Sequence, residues 1–139
     1  MKIRPIAIGI LRRNDQILVF EGSDSVKNET FYRPCGGGIE FGETAEQALV
    51  REFREELNLN VKILNRIAVL ENIFTCNGVP GHEIVFVFEI ESLDREIYSR
   101  SELEGVEDNG EKFRCLWKPL SDFRNGSILY PTGLVDSLS

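Results

Sequence analysis

Histidine is almost absent from this chain. His82 stands alone, which excludes a metal centre built on several imidazoles. A histidine-dependent nucleophilic triad is also unsupported, because no G-x-S-x-G elbow accompanies it. Cysteine is scarce as well. Cys35, Cys76 and Cys115 are odd in number, widely spaced and free of any CxxC pair, so neither a zinc site nor a disulfide framework is indicated. Buried or half-buried thiols are expected instead. No apolar run is long enough to span a bilayer, and the N-terminal segment lacks the cleavage pattern of a secretion signal. It reads as a strand, with no membrane partner and a cytoplasmic location expected. The sequons at Asn28-Glu29-Thr30 and Asn125-Gly126-Ser127 carry no weight in that setting. Basic charge is deficient too. A formal charge of −7 opposes binding to a nucleic-acid backbone, so no nucleic acid polymer is expected as partner. A small phosphorylated substrate is compatible, provided a cation screens its phosphates.

The 139-residue length suits one domain, residues 1–139. Ile3 to Leu11 and Ile17 to Phe20 are apolar runs joined by Arg12-Arg13-Asn14-Asp15, a hairpin pattern. Glu21 to Thr30 is polar and rich in turn formers, and reads as a loop. Phe31-Tyr32-Arg33 forms a short strand leading to Pro34 and three glycines. Val61 to Thr75 and Glu83 to Ile90 are β-leaning runs. Between them, Cys76 to Gly81 holds an Asn-Gly and a Pro-Gly turn signal, which predicts an antiparallel pair. Ser99 to Gly110 is acidic and is expected to be a surface loop. Phe113, Cys115 and Trp117 alternate along a last strand. The tail is expected to hold one or two short helices, with Pro131 as a helix start.

What the chain has in abundance is acid on one helix. Residues Gly36 to Leu59 read GGGIEFGETAEQALVREFREELNL. Thr44 with Gln47 makes a capping-box pattern at the helix start. Ala45, Leu49, Phe53 and Leu57 recur every four residues and define a buried stripe. Glu52, Glu55 and Glu56, at i, i+3 and i+4, share the neighbouring arc, with Ala48 inside it as a small residue admitting the preceding loop. Asn58 suits the left-handed helix end. Two of the acids lie in the last turn, where the helix dipole disfavours negative charge. Each like-charge pair costs roughly 0.2–0.5 kcal/mol on an open surface. A divalent cation would reverse that repulsion.

The same stretch resembles the signature of the Nudix hydrolases (MutT-like), G-x5-E-x7-R-E-U-x-E-E-x-G-U, with U a bulky apolar residue. Gly37, Glu43, Arg51, Glu52, Phe53, Glu55, Glu56 and Leu59 fall in register over residues 37–59. Asn58 replaces the final glycine, and Cys35 replaces the proline common before the glycines. The resemblance implies an α+β fold: an α/β/α sandwich with a curved mixed sheet between the signature helix and C-terminal helical material. It also implies hydrolysis of a pyrophosphate bond in a nucleoside diphosphate linked to X, with Mg²⁺ or Mn²⁺ as cofactor. Hard oxygen ligands suit those ions.

By that resemblance Glu55 and Glu56 are metal ligands, helped by the Gly36 carbonyl. Glu52 is a further ligand or the general base. Arg51 supports catalysis by pairing with Glu43 or Glu52, the plainer alternative being an exposed partner of Glu55. The glycines are expected to form a tight turn. Glu40 is expected at the surface. Glu102, Glu104, Glu107 and Glu83 are candidates for a ligand outside the signature, and Tyr32, Phe74 and Trp117 for stacking on a base. X stays open among nucleoside triphosphates, ADP-ribose and nucleotide sugars. Many relatives dimerise, so a homodimer is compatible. The competing reading is a catalytically silent Nudix-fold module that binds or senses a nucleotide. Retention of every signature acid argues against it.

Overall fold

The structure, a computed structural model, describes residues 1–138. Its strands are β1 (Ile3–Arg13), β2 (Gln16–Asp24), β3 (Glu29–Pro34), β4 (Gly36–Gly38), β5 (Val61–Cys76), β6 (Val79–Ser92), β7 (Glu102–Val106) and β8 (Lys112–Pro119). The helices are α1 (Ala45–Leu57) and α2 (Leu120–Arg124), with short 3-10 turns at Arg95–Ser99 and Val135–Leu138. The sheet runs β5-β6-β1-β2-β8-β7, and only β1 with β6 is parallel. The expected hairpin exists, but β1 and β2 pair only through Arg12↔Ile17 and Arg13↔Gln16. Beyond those pairs the two strands part. β4 attaches to β1 and β3 to β2, and the Gly9 amide donates to the Cys35 carbonyl at 2.9 Å across the seam. This parting brings the glycine strand under the acidic helix.

Alternation along the strands builds two cores, one on each face. On one face Leu49, Phe53 and Leu57 of α1 pack against Ala7, Leu11, Phe88 and Ile90. On the other, Ile6, Ile8, Ile17, Val19, Val85 and Val87 meet Leu120, Phe123, Leu129 and Leu138. This is the expected curved mixed sheet between α1 and C-terminal helical material. The local signals of α1 also hold. Thr44 and Gln47 complete the capping box, and Asn58 sits left-handed at φ 53° with its amide donating back to the last turn.

Several expectations need correction. Most of Glu21–Thr30 belongs to β2 and β3 and not to a loop. The turn is confined to 25–28, where buried Asp24 accepts the Val26 and Lys27 amides at 3.0 Å each. The acidic segment 99–110 contains strand β7, held by pairing to β8, with Leu103 turned inward. Only Asn77-Gly78 turns the long β5–β6 hairpin. Pro80 and Gly81 lie within β6, beyond the reach of β1, whose pairing starts at Ile3↔His82. There the ladder has a partner on one side only, so a proline is tolerated. Pro131 starts a turn closed by the Leu134 amide, and the first C-terminal helix begins at Leu120. In the strand segments, pairing with a distant partner overrides local composition.

Candidate active site

The three glycines are not a turn. They form β4, antiparallel to β1 with Gly37 opposite Ala7. A Cβ on Gly36 would run into the Ala7 carbonyl and stand 2.7 Å from the Ile8 Cα, so the backbones touch directly. A Cβ on Gly37 would collide with the Glu52 carboxylate, 2.6 Å from its Oε2. Glycine therefore seats the Glu52 side chain against bare backbone. Ala48, the small residue of α1 inside the acidic arc, is fully buried.

Arg51 holds this arrangement together. Its Nε and Nη2 grip both oxygens of Glu43 at 2.7 and 2.9 Å. Nη2 also donates to the Gly38 carbonyl at 3.0 Å, and Nη1 donates to Glu52 at 2.8 Å and Glu55 at 3.3 Å. The expected alternatives of Glu43, Glu52 or Glu55 as partner are thus all realised by one guanidinium. Glu40 is exposed, 3.8 Å from Arg51. Bidentate, charge-assisted pairing of this kind fixes a side chain's direction as well as its charge.

The Glu43 carboxyl is held down to about 2, first by Arg51 and then by the Glu40 amide. A value below the unfolded one means that this contribution is complete above pH ~4.5 and is lost as pH falls toward 2. Glu43→Gln should therefore lower Tm above pH 5 and leave it unmoved near pH 2. Thermal melts across that window check it; a constant gap at all pH values would rule out the charge pairing as its origin.

Glu52 is 7% exposed. Beside it Glu56 is pushed up to about 8, chiefly by burial, then by the charge of Glu52, and further by Asp108 and Glu107. Glu56, Glu107, Gly36, Cys35, Phe20 and Phe113 line one cavity of ≈ 100 Å³. Of the four candidate acids outside the signature, Glu107 is thus the one brought to the helix, and Asp108 comes with it. Glu102 and Glu104 face Arg114 and Lys112 at 3.6 and 3.7 Å. Glu83 is buried on Arg33 at 3.0 Å, with Arg4 at 3.9 Å, in a groove shared with Gly36 and Gly37. Among the described residues no three His, Cys, Asp or Glu side chains already stand as a closed metal cluster. Glu55 instead points half-exposed toward Arg51.

The family model for the NUDIX domain matches residues 3–130. The chain belongs to the Nudix hydrolase family. An ADP-ribose pyrophosphatase of Methanocaldococcus jannaschii is 29% identical over 71% of this chain and 57% of its own length. The NAD-capped RNA hydrolase NudC of Pseudomonas aeruginosa is 31% identical over 69% of this chain and 32% of its own. An 8-oxo-dGTP diphosphatase of Escherichia coli is 36% identical over 51% of this chain and 56% of its own. The chain thus spans between about a third and somewhat over half of these relatives. In fold, a MutT Nudix hydrolase from Burkholderia pseudomallei matches with TM-score 0.73 at 19% identity, over all of both chains.

The two departures from the Nudix signature have structural answers. Asn58 adopts the left-handed cap that glycine usually fills. Cys35 is buried with its Sγ 3.1 Å from that of Cys115, both thiols being free. Their proximity and burial push the Cys35 thiol up. Two of the three stacking candidates are structural. Trp117 donates to the Arg100 carbonyl at 3.0 Å with the Arg13 guanidinium over its ring, and Tyr32 lies under Lys118 and against Phe123. Phe74 alone faces a cavity, between the β2–β3 and β5–β6 hairpins. Asp108, Arg33 and Asn72 were not singled out in the sequence, and no spacing marks them. No helix among the described residues is long and apolar enough to cross a membrane.

Proposed function

We propose that residues 1–139 act as a hydrolase of a pyrophosphate bond in a nucleoside diphosphate linked to a further group, using Mg²⁺ or Mn²⁺. The observation that carries this is the uncompensated charge at Glu56. A half-buried carboxylate beside buried Glu52, with Asp108 and Glu107 adding repulsion, is held toward protonation. Arg51 is already spent on Glu43, Glu52 and Glu55, so a cation is what this corner lacks. The donors are all hard oxygens, the chemistry that Mg²⁺ and Mn²⁺ select. Glu56 and Glu52 would hold the ion with the Gly36 carbonyl, and Glu55 would join by a rotation that its half-exposed position permits. A bound divalent ion supplies positive charge to the phosphate oxygens and acidifies a coordinated water.

The chain's own residues do the positioning. Arg51 keeps Glu52 Oε1 engaged, leaving Oε2 over Gly37 as ligand or as base for the attacking water. The water oxygen bonds to phosphorus, the bridging P–O bond breaks, and the water proton passes to the carboxylate. Relatives named for ADP-ribose and 8-oxo-dGTP hydrolysis, and a fold neighbour named as a UDP-X diphosphatase, support the class of substrate and leave X open. A panel of nucleoside triphosphates, ADP-ribose and nucleotide sugars with each metal, with products resolved, tests the reading. Turnover that survives undiminished in both Glu55→Gln and Glu56→Gln would remove it, as would a panel without turnover.

A further inference from the structure

Strand β5 is an edge of the sheet: among the described residues its only ladder partner is β6. The two halves of that edge are built differently. The first half carries Lys62 and Arg66, and its register with β6 slips at Ile63/Asn65 and again at Arg66/Ala68. Bulges and basic side chains are the usual means of keeping a free edge from pairing with another strand. The second half, residues 68–76, reads AVLENIFTC and has neither. It runs unbroken from Ala68↔Val87 to Cys76↔Val79, with no proline, no glycine and a single charge, Glu71. Its outward row, Val69, Glu71, Ile73 and Thr75, is exposed, and Ile73 keeps 77% of its surface open. An unblunted ladder edge with apolar side chains beside it is a template for another extended segment.

The segment is complementary to itself. In an antiparallel pair of identical edge strands the twofold axis stands normal to the sheet and keeps each face on its own side. Opposed residues must then come from the same row. An axis through Glu71 would set two carboxylates face to face, and an axis through Leu70 or Ile73 would shorten the ladder. An axis through Asn72 uses all of 68–76. It places Leu70 against the partner's Phe74, Val69 against the partner's Thr75 and Ala68 against the partner's Cys76. Glu71 falls opposite the partner's Ile73, so the one charge never meets its copy. Aromatic and β-branched cross-strand pairs stabilise a sheet, and like charges directly opposed destabilise it. Val61 and Ile63, which join the core under α1, belong to the other half of the strand.

We propose that two copies of this chain pair through residues 68–76 of β5, joining their sheets into one across Asn72. The interface does not depend on the hydrolase reading, and its readout is mass rather than turnover. Sedimentation velocity on the full chain should show a monomer–dimer equilibrium. Ile73→Glu sets a carboxylate against the partner's Glu71, twice in each dimer, and should weaken association by about tenfold or more. Ile73→Lys removes the same apolar side chain but supplies the opposite charge, and should associate about tenfold more tightly than Ile73→Glu. Ile73 is exposed, so both variants should fold. With a short bis-maleimide, Ala68→Cys should give a covalent dimer through the partner's Cys76, and adding Cys76→Ser should abolish it. Cys35 and Cys115 are buried and do not compete for the reagent. A wild-type chain that stays monomeric at about 1 mM overturns the proposal and leaves this edge to a strand from a different chain. Equal association of Ile73→Glu and Ile73→Lys overturns it as well, and so does a dimer in which Ala68→Cys fails to cross-link.

Discussion

Glu56→Gln is expected to lower kcat/KM for pyrophosphate hydrolysis by about 10²- to 10⁴-fold, the scale of losing a charged group that acts on the reacting centre. In the metal-free protein the same change should be stabilising at alkaline pH. Glu56 is pushed up to about 8 from an ordinary 4.5, first by burial and then by Glu52. A folded value above the unfolded one means that its contribution is complete below pH ~4.5 and is lost as pH rises through 8. Glutamine keeps the neutral form, so the variant should not share that decline. A bound cation opposes the same repulsion and favours the folded state that binds it. Mg²⁺ should therefore raise the wild-type Tm more at pH 8 than at pH 6, and raise that of Glu56→Gln little. Activity assays with and without chelator, beside thermal melts at both pH values, check the two halves separately. Full activity in the variant would end the assignment of Glu56 as a ligand.

Three neighbouring alanine substitutions should part in their effects. Gly36→Ala places a methyl group on the Ala7 carbonyl and 2.7 Å from the Ile8 Cα, and neither can yield without moving β1. A loss of about 3 kcal/mol or more is expected, roughly 10 °C in Tm for a chain of this size. Gly37→Ala meets the Glu52 side chain instead. That carboxylate can turn aside, so most of the stability should survive. Activity should fall by 10²-fold or more, because a displacement of about 1 Å at a reacting group is enough. Gly38→Ala has only the Arg4 guanidinium at 3.5 Å, an ordinary contact, and should be nearly silent. Melting curves and kcat for the three variants test the series. Equal effects at Gly36 and Gly38 would show that β4 does not lie against β1 as described.

The parts of the site legible in the sequence are those set within a few helical turns. The capping box, the Leu49, Phe53 and Leu57 stripe, the acidic arc and the left-handed Asn58 all follow from periodicity and cap chemistry, and all are present. Strand identity was less legible where the residues are polar or glycine. β4, β7 and the outer halves of β2 and β3 lack the apolar alternation that marks a strand, because what holds them is the ladder to β1, β8 and each other.

By itself the sequence determined the family, the acidic helix and its caps, because these rest on contacts between residues at most a few turns apart. Only the tertiary structure decided which distant groups join them. Glu107 approaches Glu56, whereas Glu102 and Glu104 turn to the basic side chains of β8. Glu83 serves Arg33, Trp117 is core, and Asn72 faces a cavity. Equal acids spaced along one segment look alike until β7 and β8 pair, which sets Glu102 and Glu104 beside Arg114 and Lys112 and leaves Glu107 just past the end of β7. The three glycines show the same division: their number suggested a turn, but it is the approach of β1 on one side and Glu52 on the other that requires them.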